Sequence, residues 1–141
     1  MNIPLMVDLT KKKIIIVGGG KIATRRVQTL LDYTNNIHVI SPTITETIEK
    51  LVKTGRISYS EKCFESKDIE KADLVIAATN LEMVNNQVRL SVPSHALFNH
   101  AGRAELGNIT FPNVFKRDRL TISVSTCLLY TSPSPRDKRQ S

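Results

Sequence analysis

The sequence predicts an α/β protein: a parallel sheet with helices on both faces, followed by the first strands of a separate region. Three observations carry this. Ile14–Val17 is a β-branched run that opens directly into Gly18-Gly19-Gly20, with a helical pattern from Lys21 onward. That unit of strand, glycine turn and helix starts a Rossmann-like fold. Short apolar runs then alternate with helically spaced segments as far as His100, as in parallel strands joined by crossover helices. From Gly102 the rhythm changes to residue-by-residue alternation of apolar and polar side chains, the pattern of antiparallel strands with one open face.

The chain has 141 residues, 40% hydrophobic and 23% charged, which suits one globular unit with a real core. No apolar run is long enough to span a bilayer, and Met1–Thr10 lacks the basic start and long apolar centre of a signal peptide. Cytoplasm and no membrane partner are the expectation. The net charge of +7 is spread along the chain with few aromatics, so it reads as solvated surface and not as a nucleic-acid site. Cys63 and Cys127 make no disulfide framework. No His/Cys cluster has metal-ligand spacing, so no metal site is expected.

Taken in order, Pro4–Leu9 is an apolar lead-in and Lys11–Lys13 a charged turn. After the strand Ile14–Val17, Gly18 allows a tight turn, and Gly20 lets a pyrophosphate approach the backbone. Ala23 lets the helix pack closely on the strand. Free N–H groups at the helix start would face the phosphates. NAD is the expected cofactor. The helix is expected over Lys21–Tyr33, with Ile22, Val27, Leu30 and Leu31 on its apolar face. Ile37–Ile40 is the second strand, with His38 a packed or surface residue. Ser41-Pro42-Thr43 follows it and lacks the acid that often binds ribose hydroxyls.

A helix over Thr45–Lys53 ends at Gly55, and Ile57–Ser60 reads as the third strand. Cys63 is an ordinary thiol. Ser66–Lys71 is a short polar helix or turn. The fourth strand, Leu74–Ala78, is apolar throughout and therefore central. Thr79 and Asn80 end it, at the edge where such sheets bind ligands. A helix over Leu81–Ser91 stops before Pro93, and Ala96–Phe98 leads a fifth strand into Asn99 and His100. Asn108–Pro112 and Leu120–Ser125 read as two paired strands joined through Phe115–Arg119. Their apolar faces are Ile109 and Phe111, then Leu120, Ile122 and Val124. Such a pair has an exposed edge that another subunit or segment would cover.

The ordered set of Ile3-Pro4-Leu5 through Leu9, Val17–Gly20 with Ala23, Val39–Pro42, Ala77–Asn80, Val84-Asn85, Phe98-Asn99, Ile109–Pro112 and Leu120–Ser125 resembles the siroheme-synthase N-terminal family of precorrin-2 dehydrogenases. The resemblance covers Met1 to about Thr126. It implies NAD-dependent oxidation of the tetrapyrrole precorrin-2 to sirohydrochlorin, and a homodimer formed through the late strands. It implies cofactor contacts from Lys21-Ile22 and Pro42-Thr43, added to Gly18, Gly20, Ala23, Ser41, Thr79 and Asn80. The nicotinamide would point to Asn99, a candidate substrate contact. Many members carry an Asp where Gly102 stands, and that residue is proposed to act in both dehydrogenation and iron insertion. Its absence fits the Bacillus-type, dehydrogenase-only branch better than a bifunctional dehydrogenase and ferrochelatase. No catalytic acid or base is assigned; His100 and Glu105 are nearby groups that could take a proton. A non-catalytic NAD-binding regulatory module is the alternative of a different class.

The organisation expected is a nucleotide-binding domain over residues 1–101 and the start of a dimerisation region over 102–126. Residues 127–141 are expected to be a disordered, non-native tail. Cys127–Asp137 resembles one reading frame of a transposase-type sequencing adaptor, so the natural reading is expected to stop at Thr126.

Overall fold

The structure, a computed structural model, describes residues 1–125. Thr126 and the expected non-native tail, Cys127–Ser141, lie outside the described residues. Five parallel strands form one sheet: β1 (Ile14–Val17), β2 (Ile37–Ser41), β3 (Ser58–Glu61), β4 (Leu74–Ala77) and β5 (Leu97–His100), in the order β3-β2-β1-β4-β5. β1 pairs in register with β2 on one side and β4 on the other, Ile16 lying opposite both Val39 and Ile76. All residues of β1 and β4 are buried. An unbroken apolar run suits such a strand, because both of its faces meet helices.

Alternate strand residues feed two cores. Ile14, Ile16, Val39 and Ile76 meet Ala23, Val27 and Leu30 of α1 (Lys21–Leu30) and Ile48 of α2 (Glu46–Lys53) on one face. Ile15, Val17, Ile40 and Val75 meet Val88 of α3 (Glu82–Ser91) and Ile69 of a short 3-10 turn, Ser66–Ile69, on the other. The expected Rossmann-like sheet, with helices on both faces, is thus the observed one.

Local chemistry explains the helix boundaries. Thr45 caps α2 by accepting the Ile48 N–H at 3.3 Å. Past its end, Gly55 at φ +75° lets Arg56 N–H reach back to the Leu51 carbonyl at 3.0 Å, closing the helix with a left-handed residue. α1 ends at Leu30, short of the expected Tyr33. Ile22 is not on its buried face, being 47% exposed; Ala23 takes that place, because the chain leaves the glycine turn with position 22 at the rim.

The late strands need a correction. Asn108–Pro112 forms no strand. The pair is β6 (Asn113–Arg117) and β7 (Leu120–Val124), antiparallel, with Phe115 opposite Ile122. Phe115–Arg117, expected in the connection, are strand residues, and Asp118 at φ +55° makes the tight turn. Pro112 has no N–H to give a ladder. Asn108 is instead bound to β5, and Ile109 and Phe111 pack on the first core. Every residue of β6 and β7 is exposed among the described residues. No described helix is long and apolar enough to cross a membrane.

Candidate functional site

The chain leaves β1 at the carboxyl edge, between neighbours β2 and β4, where the strand order reverses. Open α/β sheets bind ligands at that point. The glycines there have different physical reasons. Gly18 sits at φ +129°, and a Cβ would overlap the Ala78 carbonyl oxygen. A Cβ on Gly19 would overlap the Thr43 carbonyl oxygen and stand 2.9 Å from Ser41 Oγ. These two let the turn lie flat between β4 and β2. Gly20 has nothing within 4 Å of where its Cβ would be. It faces open space above the edge.

Gly20 is also the N-cap of α1, without a side-chain cap, and no acidic residue occupies the first turn. The first N–H groups and the positive end of the helix dipole are therefore left for an anion. Lys21 and Ile22 are exposed beside it, and Ala23 is fully buried below. The Thr24 hydroxyl donates to the Gly20 carbonyl at 2.7 Å and lies 2.7 Å from the Thr45 hydroxyl, while Thr45 N–H donates to the Gly19 carbonyl at 3.0 Å. Turn, α1 and the cap of α2 thus form one bonded unit.

At the end of β2, Ser41 is buried, and its carbonyl accepts from the Tyr59 hydroxyl at 2.8 Å and Lys62 N–H at 3.2 Å. Ser41 supports the glycine turn from below, whereas Pro42 and Thr43 are exposed at the rim. At the end of β4, Thr79 is held by Asn85, a residue not among the expected cofactor contacts. Asn85 Oδ1 accepts from Thr79 N–H at 3.1 Å and lies 2.7 Å from its hydroxyl, and Asn85 Nδ2 donates to the Thr79 carbonyl at 3.0 Å. A polar residue on the buried face of α3 is the signal that could have found it. Asn80 is exposed next to this clamp.

Asn99 and His100 end β5 and lie on opposite faces of the sheet. Asn99 is 2% exposed; its Nδ2 donates to the Ile109 carbonyl at 3.1 Å, and its Oδ1 has no hydrogen-bond partner. His100 is 1% exposed, and its Nδ1 accepts N–H bonds from Arg103 at 2.9 Å and Gly102 at 3.2 Å. A nitrogen accepting two N–H bonds carries no proton, so the hydrogen-bond pattern assigns the neutral ring its proton on Nε2. Nε2 lies 3.5 Å from Glu82 Oε1 without a formal hydrogen bond. Through Nδ1, His100 braces the loop after β5. Glu105 is exposed and pairs with Arg103 Nε at 3.3 Å; its own backbone N–H, then Arg103, hold its carboxyl below the usual range. His38 is a packed residue as expected, its two ring nitrogens bonded to Ser58 and Ser60 hydroxyls at 2.6 and 2.8 Å.

The residues present fit a dinucleotide: an open cradle over Gly20, an uncapped helix start, and a rim of Pro42, Thr43 and Asn80. Comparison with known proteins agrees. A family model described as "Putative NAD(P)-binding" matches residues 5–113. The chain is 37% identical over 124 residues to a precorrin-2 dehydrogenase of Bacillus subtilis (strain 168), covering 88% of this chain and 76% of that protein. It is 33% identical over 122 residues to a precorrin-2 dehydrogenase of Priestia megaterium, covering 86% of this chain and 60% of that one. Among solved structures it resembles SirC, a precorrin-2 dehydrogenase, with a TM-score of 0.78 and 31% identity over 89% of this chain and 61% of that one.

Proposed function

The chain belongs to the precorrin-2 dehydrogenase and siroheme synthase N-terminal family of NAD(P)-binding proteins, and from that premise we propose that it oxidises precorrin-2 to sirohydrochlorin with NAD as acceptor. The observation that carries the reading is Gly20: an open cradle at an uncapped helix start, on a sheet whose relatives bear that activity in their names. The nicotinamide, when bound, supplies hydride acceptance; the protein supplies binding and orientation.

In this reading α1's first N–H groups hold the pyrophosphate, with Lys21 and Ile22 alongside. Pro42 and Thr43 border the adenosine side, with buried Ser41 fixing their loop. Thr79, clamped by Asn85, and Asn80 border the middle of the crevice. Asn99 faces the substrate side, and Gly18 and Ala23 keep turn and helix close to the sheet. Ser41–Thr45 holds neither an acid for the ribose hydroxyls nor an arginine or lysine for a 2′-phosphate, so NAD is taken from the dehydrogenase family and not from this stretch.

We further propose a nucleotide domain ending near Ala101 with a dimerisation region after it, a homodimer, and a cytoplasmic setting. Metal insertion is not part of the proposed activity. Gly102 offers no side chain, although a Cβ there would stand an ordinary 3.6 Å from His100 Cε1. The test is spectroscopic. Purified protein with precorrin-2 and NAD should generate the sirohydrochlorin spectrum together with reduced cofactor. NAD binding without turnover would favour a regulatory module instead.

A further inference from the structure

We propose that Arg26 anchors a carboxylate of the tetrapyrrole substrate, through a guanidinium that the fold holds half-buried and unpaired. The inference rests on the dehydrogenase reading and names one contact within it.

Arg26 lies in the second turn of α1, between buried Ala23 and Val27. Its Nε is buried and has no hydrogen-bond partner. Among the described residues no carboxylate pairs with it; burial, then the like charge of Arg25, pushes the guanidinium below its ordinary value. A partly desolvated cation without a counterion adds little stability by itself. What holds Arg26 there is Phe111, whose ring centroid lies 5.0 Å from Cζ, a platform that accepts a guanidinium face. Phe111 packs on the first core, and two residues earlier the Ile109 carbonyl accepts from Asn99 Nδ2 at 3.1 Å. Arg26 and Asn99, each with a buried unpartnered polar atom, therefore flank one short segment.

The position decides which anion is meant. The pyrophosphate cradle is at Gly20, a turn and a half up the helix, and the ribose rim is at Pro42 and Thr43. Arg26 instead lies against Phe111, on the segment that leaves β5. In the dehydrogenase reading that segment adjoins Asn99 on the substrate side, and a tetrapyrrole substrate bears carboxylates on its rim. A guanidinium fork matches a carboxylate with paired N–H donors, which an ammonium does not.

The experiment titrates the full chain separately with sirohydrochlorin and with NAD, for wild type, Arg26→Gln and Arg26→Lys, with circular dichroism as the folding control. Arg26→Gln should weaken sirohydrochlorin about tenfold or more, the scale of a hydrogen bond to a charged group, and leave NAD affinity within about twofold. Arg26→Lys should fall between. Wild-type affinity for sirohydrochlorin should drop with added salt, and the Gln variant should drop less. Equal sirohydrochlorin affinity in wild type and Arg26→Gln overturns the assignment alone. Parallel loss of both ligands in a folded variant also overturns it, because Arg26 would then serve the nucleotide. A wild-type chain that binds NAD but no sirohydrochlorin removes the dehydrogenase reading, and this inference with it.

Discussion

Asn108 clasps Phe98 across the open edge of the sheet. Its side-chain Oδ1 accepts the Phe98 N–H at 2.7 Å, and its own N–H donates to the Phe98 carbonyl at 2.8 Å. One residue thereby satisfies both outward backbone groups of Phe98, groups that a sixth strand would otherwise take. Asn108→Ala should leave a part-buried N–H unpaired, at a cost of about 1–3 kcal/mol. Asn108→Asp keeps the acceptor and should lose less. Urea unfolding measures both, and an alanine variant with an unchanged midpoint would show that the clasp adds nothing.

The glycine turn gives a contrast within three residues. Gly18→Ala forces a side chain into φ +129° and onto the Ala78 carbonyl, and should cost more than about 2 kcal/mol of stability. Gly20→Val meets open space, so the melting temperature should stay near that of wild type while calorimetry finds NAD binding abolished. Equal NAD affinity in the Gly20 variant would take the cradle out of the site.

Much of this is legible in the sequence. A short unbroken apolar run bounded by turn residues suits a strand buried on both faces, so Ile14–Val17 and Leu74–Ala77 stand where the sequence puts them. Asn108–Pro112 misled because Ile109 and Phe111 alternate like strand residues; the pattern is the same when both pack down onto a sheet beside them. A side-chain amide standing in for a strand has no periodicity to read. Arg26 was hidden for another reason. An Arg25-Arg26 pair on a helix looks like solvated charge, and only the three-residue spacing of Arg26 from Ala23 hints that it leans inward. Ile22 erred in the opposite direction, since hydrophobicity alone does not distinguish a core contact from a rim.

A pH dependence follows from Lys62, which donates to Asp68 Oδ1 and Glu65 Oε1, each at 2.7 Å, while Glu65 N–H donates to Asp68 Oδ2 at 2.8 Å. Burial pushes the Asp68 carboxyl up, but the Lys62 bond, the Glu65 N–H and the charges of Lys62 and Lys67 outweigh it and hold it below the usual range. A carboxyl depressed on folding stabilises above its unfolded value, about 3.9, and that contribution is lost as pH falls through the folded value. Lys62→Met should therefore lower the melting temperature at pH 7, and the gap to wild type should narrow as pH drops from about 5 to below 3. A gap that stays constant over that range would mean that Lys62 acts through the packing of its stem.

The hairpin carries the proposed homodimer. Register places Phe115, Leu120, Ile122 and Val124 on one face, and their exposures of 61%, 60%, 49% and 55% make that face an apolar strip. Water on such a strip is unfavourable at roughly 25 cal/mol per Å², and isolated two-stranded hairpins are marginal, so a second copy laying its own strip alongside would relieve both costs. The opposite face is tied down: Lys116 Nζ lies 4.4 Å from the Tyr33 ring centroid, which orients the hairpin on its own subunit and leaves the apolar side outward. Sedimentation velocity on the chain should find a dimer at tens of micromolar. Phe115→Glu and Ile122→Lys should each give monomers, because each places a charge in the centre of the strip. Combined in one chain they face each other as an opposite-charge pair, worth no more than about 1 kcal/mol on an exposed surface, so the double variant should stay monomeric. All three variants should keep the NAD affinity of wild type, since no residue that builds the glycine turn lies on that strip. A wild-type chain that sediments as a monomer, or variants that remain dimeric, would send the search for the dimer contact to another surface.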